Sequence, residues 1–217
     1  MVAVTQGLRF TLIAVSFALV GLVSAARLHA QQPSSPAPPR VAPLHTEPVR
    51  IDSLRIDPVR SRFGFELRTR WGLRVSGAFP RYDGEVVRLP DGRQQVRIRL
   101  ASADVVVAGS ERYTALARGE NFFDAQRYPM IEFVSEPHPR RLARDGGRLR
   151  GVLTLHGVRR NESFALQPAG CADPGVGCDV VASGVISRDD YGLDGWRFAL
   201  ANPVRFDLRL RLQEASP

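Results

Sequence analysis

No lysine occurs in the 217-residue chain, so all 30 basic residues are arginine. Histidine and cysteine are nearly as scarce, with four and two copies. His29 and His45 lie ahead of the patterned part of the chain, which leaves His138, between Pro137 and Pro139, and His156, beside Gly157. A metal cluster, or a nucleophile served by an imidazole base, therefore has little to draw on. A phosphate-cradling glycine loop is missing, and so is a C-x-x-C-H haem site. The main apolar run, from Phe10 to Val23, falls short of the ~20 residues that span a bilayer core. There is no internal repeat, and no periodic run long enough for a helical bundle.

What is present begins with that apolar run. Arg9 precedes it and the small residues Ser24, Ala25 and Ala26 follow, so residues 1–30 read as a secretory signal peptide cleaved after Ala26 or Ala30, with an uncleaved membrane anchor as the alternative. Export to the periplasm is expected, and in that oxidising space Cys171 and Cys178 are expected to form a local disulfide. Residues 31–50 are a linker, with Pro33, Pro36, Pro38, Pro39, Pro43 and Pro48 among Ser, Ala and Gln. A single folded domain is expected over residues 51–213, followed by a short tail at 214–217.

The net charge of +8 falls to +6 once the first 30 residues, with Arg9 and Arg27, are set aside. A basic excess can mark a nucleic-acid or anionic-membrane partner. Here the arginines alternate with apolar residues, as in Val204-Arg-Phe-Asp-Leu-Arg-Leu-Arg-Leu212, and no interleaved basic and aromatic run resembles an RNA-binding surface. No nucleic-acid partner is expected. Transient contact with an anionic membrane surface stays open.

Period-two alternation recurs through the domain. Phe63, Phe65 and Leu67 share one face, opposite Arg62, Gly64, Glu66 and Arg68, and Leu73, Val75, Gly77 and Phe79 repeat the pattern. A turn is expected at Asp83-Gly84, before Val86-Val87, and another at Asp91-Gly92, before Val96, Ile98 and Leu100. Residues 110–118 read as one short helix, capped by Ser110 and stopped by Gly119. Further strands are expected around residues 130–134, 149–155, 163–166, 180–186 and 204–212. Some eight to ten strands, apolar on one face and Arg-rich on the other, must close into a barrel or pack as two layers. Alternation does not say which face is inside, so an outer-membrane barrel is a third arrangement to weigh. The strands are short for that, and no aromatic girdles bracket them.

The segment from Arg118 to Ser135, with Phe122-Phe123-Asp124 followed by Pro129-Met-Ile-Glu-Phe-Val-Ser135, resembles the helix-to-strand junction of the YceI-like family of periplasmic lipid-binding proteins. Ile56-Asp-Pro-Val-Arg-Ser-Arg-Phe63 is similar to that family's first strand, although many members have His where Arg60 stands. Trp71-Gly72, Gly77-Ala-Phe79 and Gly84 resemble the second strand and its turn. Leu153-Thr-Leu-His-Gly-Val158 is similar to an L-T-x-x-G-V strand end, and Ser187-Arg-Asp-Asp-Tyr-Gly192 to a late R-x-[DE]-[FY]-G turn. The resemblance implies an all-β fold, an extended antiparallel lipocalin-like barrel with one short helix. It also implies a polyisoprenoid or related amphiphile, such as a quinone or its precursor, held in the lumen without catalysis or cofactor.

The candidate lining residues are Phe63, Phe65, Phe79, Phe133, Leu153, Leu155, Phe206 and Leu208, because they lie on the apolar faces. In small barrels such residues can instead fill a solid core. Phe122 and Phe123 either close the lumen or staple the helix down. Trp196 is a candidate lid at the mouth, or an ordinary corner residue. His156 reads as a surface residue, and Asp189-Asp190 as capping groups or arginine partners rather than an acid/base pair. Two other functions stay open: a structural or stress-linked envelope protein with a filled core, and a small isomerase acting on an apolar substrate. Homodimerisation stays open too, because strand edges invite pairing.

Overall fold

Alternating side chains can bury one face of a sheet only if the strands pair in register, and the computed structural model, which describes residues 53–213, shows how they do so. The signal peptide, linker and tail expected from the sequence lie outside the described residues. The strands are β1 (Ser53–Arg55), β2 (Arg62–Thr69), β3 (Arg74–Ala78), β4 (Tyr82–Arg88), β5 (Gln94–Ala101), β6 (Val106–Val107), β7 (Met130–Ser135), β8 (Gly147–Leu155), β9 (Val158–Leu166), β10 (Val180–Ser187) and β11 (Leu200–Leu210). Helix α1 (Glu111–Arg118) follows β6, and the five-residue α2 (Arg141–Asp145) follows β7.

All eleven strands join one antiparallel sheet in the order β1-β4-β5-β7-β8-β9-β10-β11-β2-β3-β6. The sheet curls until edge strand β1 meets the end of β11. There Ile56 bridges Leu212, Asp57 N–H donates to Arg211 O at 2.8 Å, and Gln213 N–H donates to Arg55 O at 2.8 Å. Tyr82 helps close the seam, its hydroxyl 2.7 Å from Ser61 O and its ring 4.5 Å from that of Phe63. Phe63, Phe65 and Leu67 of β2 are buried while Arg62 and Arg68 are exposed, and β11 alternates in the same way. Apolar residues thus face inward and arginines outward, the reverse of a lipid-facing barrel.

Helix α1 forms where expected: Ser110 Oγ accepts the Tyr113 N–H at 3.2 Å, and Gly119 N–H donates to Leu116 O. The Asp91-Gly92 turn joins β4 to β5, with Leu89 N–H donating to Arg93 O at 2.8 Å. A second tight hairpin joins β8 to β9 through His156-Gly157, both at positive φ (51° and 74°), as a two-residue turn matched to the sheet's twist requires.

Four expectations are corrected. Asp83-Gly84 is no turn but part of β4; a Cβ at Gly84 would sit 2.5 Å from Arg97 O and 2.7 Å from Ile56 Cδ1, so this glycine serves close strand packing. Leu73 does not share the buried face of its strand: it ends the Thr69–Leu73 turn and is 67% exposed. Strand β9 starts at Val158 and β11 at Leu200, because main-chain pairing extends them past their apolar stretches. Helix α2 adds a second helix to the one expected; it carries no capping side chain and no apolar period that would announce it in the sequence.

Three of the large inward rings lie over glycines. Cβ atoms at Gly77, Gly151 and Gly184 would collide with Phe65, Phe133 and Phe164 respectively, at 2.4–2.7 Å. A ring covering a neighbouring strand's bare backbone compensates for the missing side chain and pins the register.

Candidate functional site

The barrel interior divides into two zones, and the aromatic residues decide where. At the end carrying α1, Phe65, Phe79, Phe122 and Phe123 form a cluster of tilted and edge-to-face rings with centroids 4.8–6.2 Å apart. Each such pair contributes about 0.5–1.5 kcal/mol beyond its buried area. Arg188, 1% exposed, closes the cluster from below with its guanidinium 5.2 Å from the Phe122 ring centroid. It donates to Gly195 O and, at 3.4 Å, to Ala201 O, and burial pulls its pKa below the ordinary value. Tyr191, fully buried, donates its hydroxyl to Glu162 Oε1 at 2.8 Å; burial, then that bond, push its pKa up. This end is solid.

The other end is hollow. A cavity of about 380 Å³ lies between β2, β5, β7 to β11, α2 and the cystine loop, walled largely by apolar side chains. Of the residues singled out from the sequence, Phe63, Phe133, Leu153, Phe206 and Leu208 line it. Phe65, Phe79, Phe122, Phe123 and Leu155 do not; the first four make up the aromatic cluster and Leu155 is buried without reaching the cavity wall. Phe122 and Phe123 lie in edge contact, 4.8 Å between centroids, and so pack the closed end together. Trp196 is no lid on this cavity. It sits at φ 62° in the loop before β11 with its ring 5.7 Å from that of the exposed Phe198.

The wall also includes Val96, Ile98 and Leu100, whose shared face the alternation of β5 shows, together with Phe164, Leu166 and Ala182. Their signal was the same period-two pattern. The mouth had none, because it is gathered from separate loops: Gln94 at the start of β5, His138 after β7, Arg140, Arg141 and Arg144 on and beside α2, and residues 172–176 of the cystine loop. Cys171 and Cys178 are bonded, as expected, and Leu212 N–H donates to Gly175 O at 2.8 Å, which ties that loop to the barrel rim.

His138 is less of a loop residue than the flanking prolines imply. Its backbone exchanges two 2.8 Å hydrogen bonds with Gln94, it is 9% exposed, and burial lowers its pKa. Its Nδ1 lies 3.3 Å from Pro139 O, while Nε2 is buried without a partner. His156 is part-buried, with Nδ1 3.1 Å from Tyr191 O and its ring against Tyr128. Among the described residues neither imidazole hydrogen-bonds a carboxylate or a hydroxyl. Asp189 pairs with Arg197 and Asp190 with Arg160, as arginine partners rather than with each other. Among the described residues no three His, Cys, Asp or Glu side chains gather at one place.

The arrangement offers an apolar lumen that opens at an arginine-rich rim. The family model of the YceI-like domain matches residues 54–212. No curated protein matches the chain. Among solved structures it is similar to BcnA of Burkholderia cenocepacia, with a TM-score of 0.58 and 20% identity over 71% of this chain and 98% of that one. It is also similar to a polyisoprenoid binding domain from Saccharophagus degradans implicated in plant cell wall breakdown, with a TM-score of 0.57 and 13% identity over 76% of this chain and all of that one.

Proposed function

The chain belongs to the YceI-like domain family, and from that membership we propose that it is a periplasmic carrier that holds the tail of a polyisoprenoid or related amphiphile, a quinone or its precursor among them, without catalysing a reaction on it. The observation that carries this reading is the 380 Å³ apolar cavity inside the barrel.

The energetics are sufficient. Each buried methylene contributes about 0.8 kcal/mol, so a five-carbon isoprene unit contributes about 4 kcal/mol gross. Association and ordering cost about 4–15 kcal/mol, so about one to four buried units offset that cost before binding is net favourable. Affinity therefore comes from the tail, and few directed contacts are required. The Cys171–Cys178 bond supports an oxidising compartment, in keeping with the apolar N-terminal run.

Native mass spectrometry with lipid extraction, on the mature domain purified from a periplasmic extract, tests the proposal. A bound species of isoprenoid mass is expected, or uptake of added prenyl lipid or quinone by the emptied protein. A protein that comes out empty and takes up neither would instead be a structural envelope protein that uses the fold alone.

A further inference from the structure

Large apolar side chains standing singly in water are ordinary, but three of the most exposed in this protein stand together. Trp71, Leu73 and Phe198 are 72%, 67% and 74% exposed. Trp71 and Leu73 lie on the tight turn between β2 and β3, where Thr69 N–H donates to Leu73 O at 2.8 Å and Gly72 N–H to Thr69 O at 3.0 Å. Phe198 lies in the loop before β11, the strand that pairs with β2. Arg70 joins the two loops: its N–H donates to Ala199 O at 2.8 Å and its Nε to Arg197 O at 3.0 Å. The patch sits at the closed end, beyond the aromatic cluster, and forms no part of the cavity wall.

Hydrogen bonds fix how the patch is presented. Trp196 O accepts the N–H groups of Ala199 and Leu200 at 2.9 and 2.8 Å, and the Trp196 ring lies 5.7 Å from that of Phe198. Underneath, the buried Arg188 guanidinium donates to Gly195 O and Ala201 O, on either side of Phe198. The rim is basic. Arg68 and Arg74 stand directly opposite each other on β2 and β3, and Arg70 and Arg197 immediately precede Trp71 and Phe198. Arg74 pairs with Glu66 at 3.7 Å, and Arg197 with Asp189 at 3.3 Å and Asp194 at 3.9 Å. Arg68 and Arg70 are exposed and make no ion pair among the described residues.

We propose that this end of the barrel docks on an anionic phospholipid surface, with Trp71, Leu73 and Phe198 entering the headgroup layer and Arg68 and Arg70 facing lipid phosphates. Aromatic rings with a leucine among them partition into that layer, and guanidiniums beside it meet negative charge. Two rings and a leucine at these exposures offer about 400 Å² of surface, half of the ~800 Å² per partner that a stable protein interface buries. Projecting tips fit a fluid layer that deforms around them and need no complementary hollow. The outer faces of β2 and β11 carry arginines, so the contact is peripheral rather than spanning. The inference does not rest on tail binding. Because the cavity opens at the other end, its mouth faces away from the bilayer in the docked state.

The test is flotation of residues 31–217, which contain the whole described barrel, with vesicles of phosphatidylcholine alone or mixed with phosphatidylglycerol. Binding to the mixed vesicles, weakened by salt, is expected. Trp71→Ser/Phe198→Ser, which changes two exposed side chains, is expected to weaken it about 100-fold, about tenfold per ring. Arg68→Gln/Arg70→Gln is expected to weaken it about fivefold per arginine, with no effect on neutral vesicles. Ala182→Leu, inside the cavity, is expected to leave flotation unchanged, which separates docking from lipid uptake. Trp71 and Trp196 are the chain's two tryptophans, so in Trp196→Phe the emission of Trp71 alone is expected to shift to the blue and to be quenched by brominated lipid. Failure to float with the mixed vesicles, or unmoved Trp71 emission, would overturn the docking surface and leave tail binding standing. Flotation lost in Ala182→Leu but kept in the ring variant would put the contact at the mouth and overturn it too. So would a dimer that the ring variant dissociates and that does not float, since the patch would then belong to a second copy of the chain.

Discussion

Replacing Ala182 by leucine asks whether the barrel is hollow. Ala182 is 5% exposed, pairs across the sheet with Leu166 and Leu208, and all three line the cavity. Leucine adds three carbons there, and moving them from water into empty apolar space gains about 2.4 kcal/mol at about 0.8 per methylene. Fixing the new side chain takes back about 0.5–1 kcal/mol. The net gain of about 1.5–2 kcal/mol corresponds to a rise in Tm of about 3–8 °C for a domain of this size. In a filled core the same change overpacks and costs about 1–3 kcal/mol, so the two cases differ in sign. The added carbons also take space from a bound tail; losing three methylenes' worth of burial weakens binding by about 50-fold. Thermal unfolding must be measured on delipidated protein, because bound lipid raises Tm on its own. Fluorescence titration with a labelled prenyl lipid supplies the second readout. A lower Tm together with unchanged lipid affinity would refute the hollow barrel.

Two further outcomes follow from the rim of the barrel. A Cys171→Ser/Cys178→Ser variant is expected to lose about 2.5 kcal/mol, the chain-entropy value for so short a loop, as a lower urea midpoint matched by wild type in reductant. An unmoved midpoint would mean that the Gly175 and Leu212 backbone bonds hold the loop by themselves. Asp57 gives a pH signature. The Arg60 N–H, then the Arg60 guanidinium and the Val59 N–H, hold its carboxyl down from 3.8 to about 2. A folded-state pKa below the unfolded one means the contribution is complete above about pH 4 and lost as pH falls through about 2. Acid unfolding of Asp57→Asn is therefore expected to begin from a lower Tm at neutral pH and to show a shallower fall between about pH 4 and 2; parallel curves for the two proteins would contradict this.

The strands were largely legible because period two is a local property: whether Phe63, Phe65 and Leu67 share a face needs no knowledge of the rest of the chain. The short helix was legible for the same reason, since Ser110 and Gly119 act on neighbours three or four residues away. Asp83-Gly84 misled because a glycine admitted for a turn and one admitted for close strand approach look alike until Arg97 and Ile56 are in place.

Sequence by itself thus determined an apolar face, an arginine-rich face opposite it, a disulfide-bonded loop and the family to which they belong; which face turns inward came from the closed sheet. The tertiary structure alone decided where that apolar face is packed and where it is empty. The same alternation produced Phe65 and Phe133, yet the rings of Phe79 and Phe123 close around Phe65 while Phe133 and Leu153 border the cavity. Void volume depends on which side chains meet across the barrel, and those partners are far apart in the chain. The mouth is the extreme case, because Gln94, His138, Arg140, Arg141 and the cystine loop become one rim only when the sheet closes.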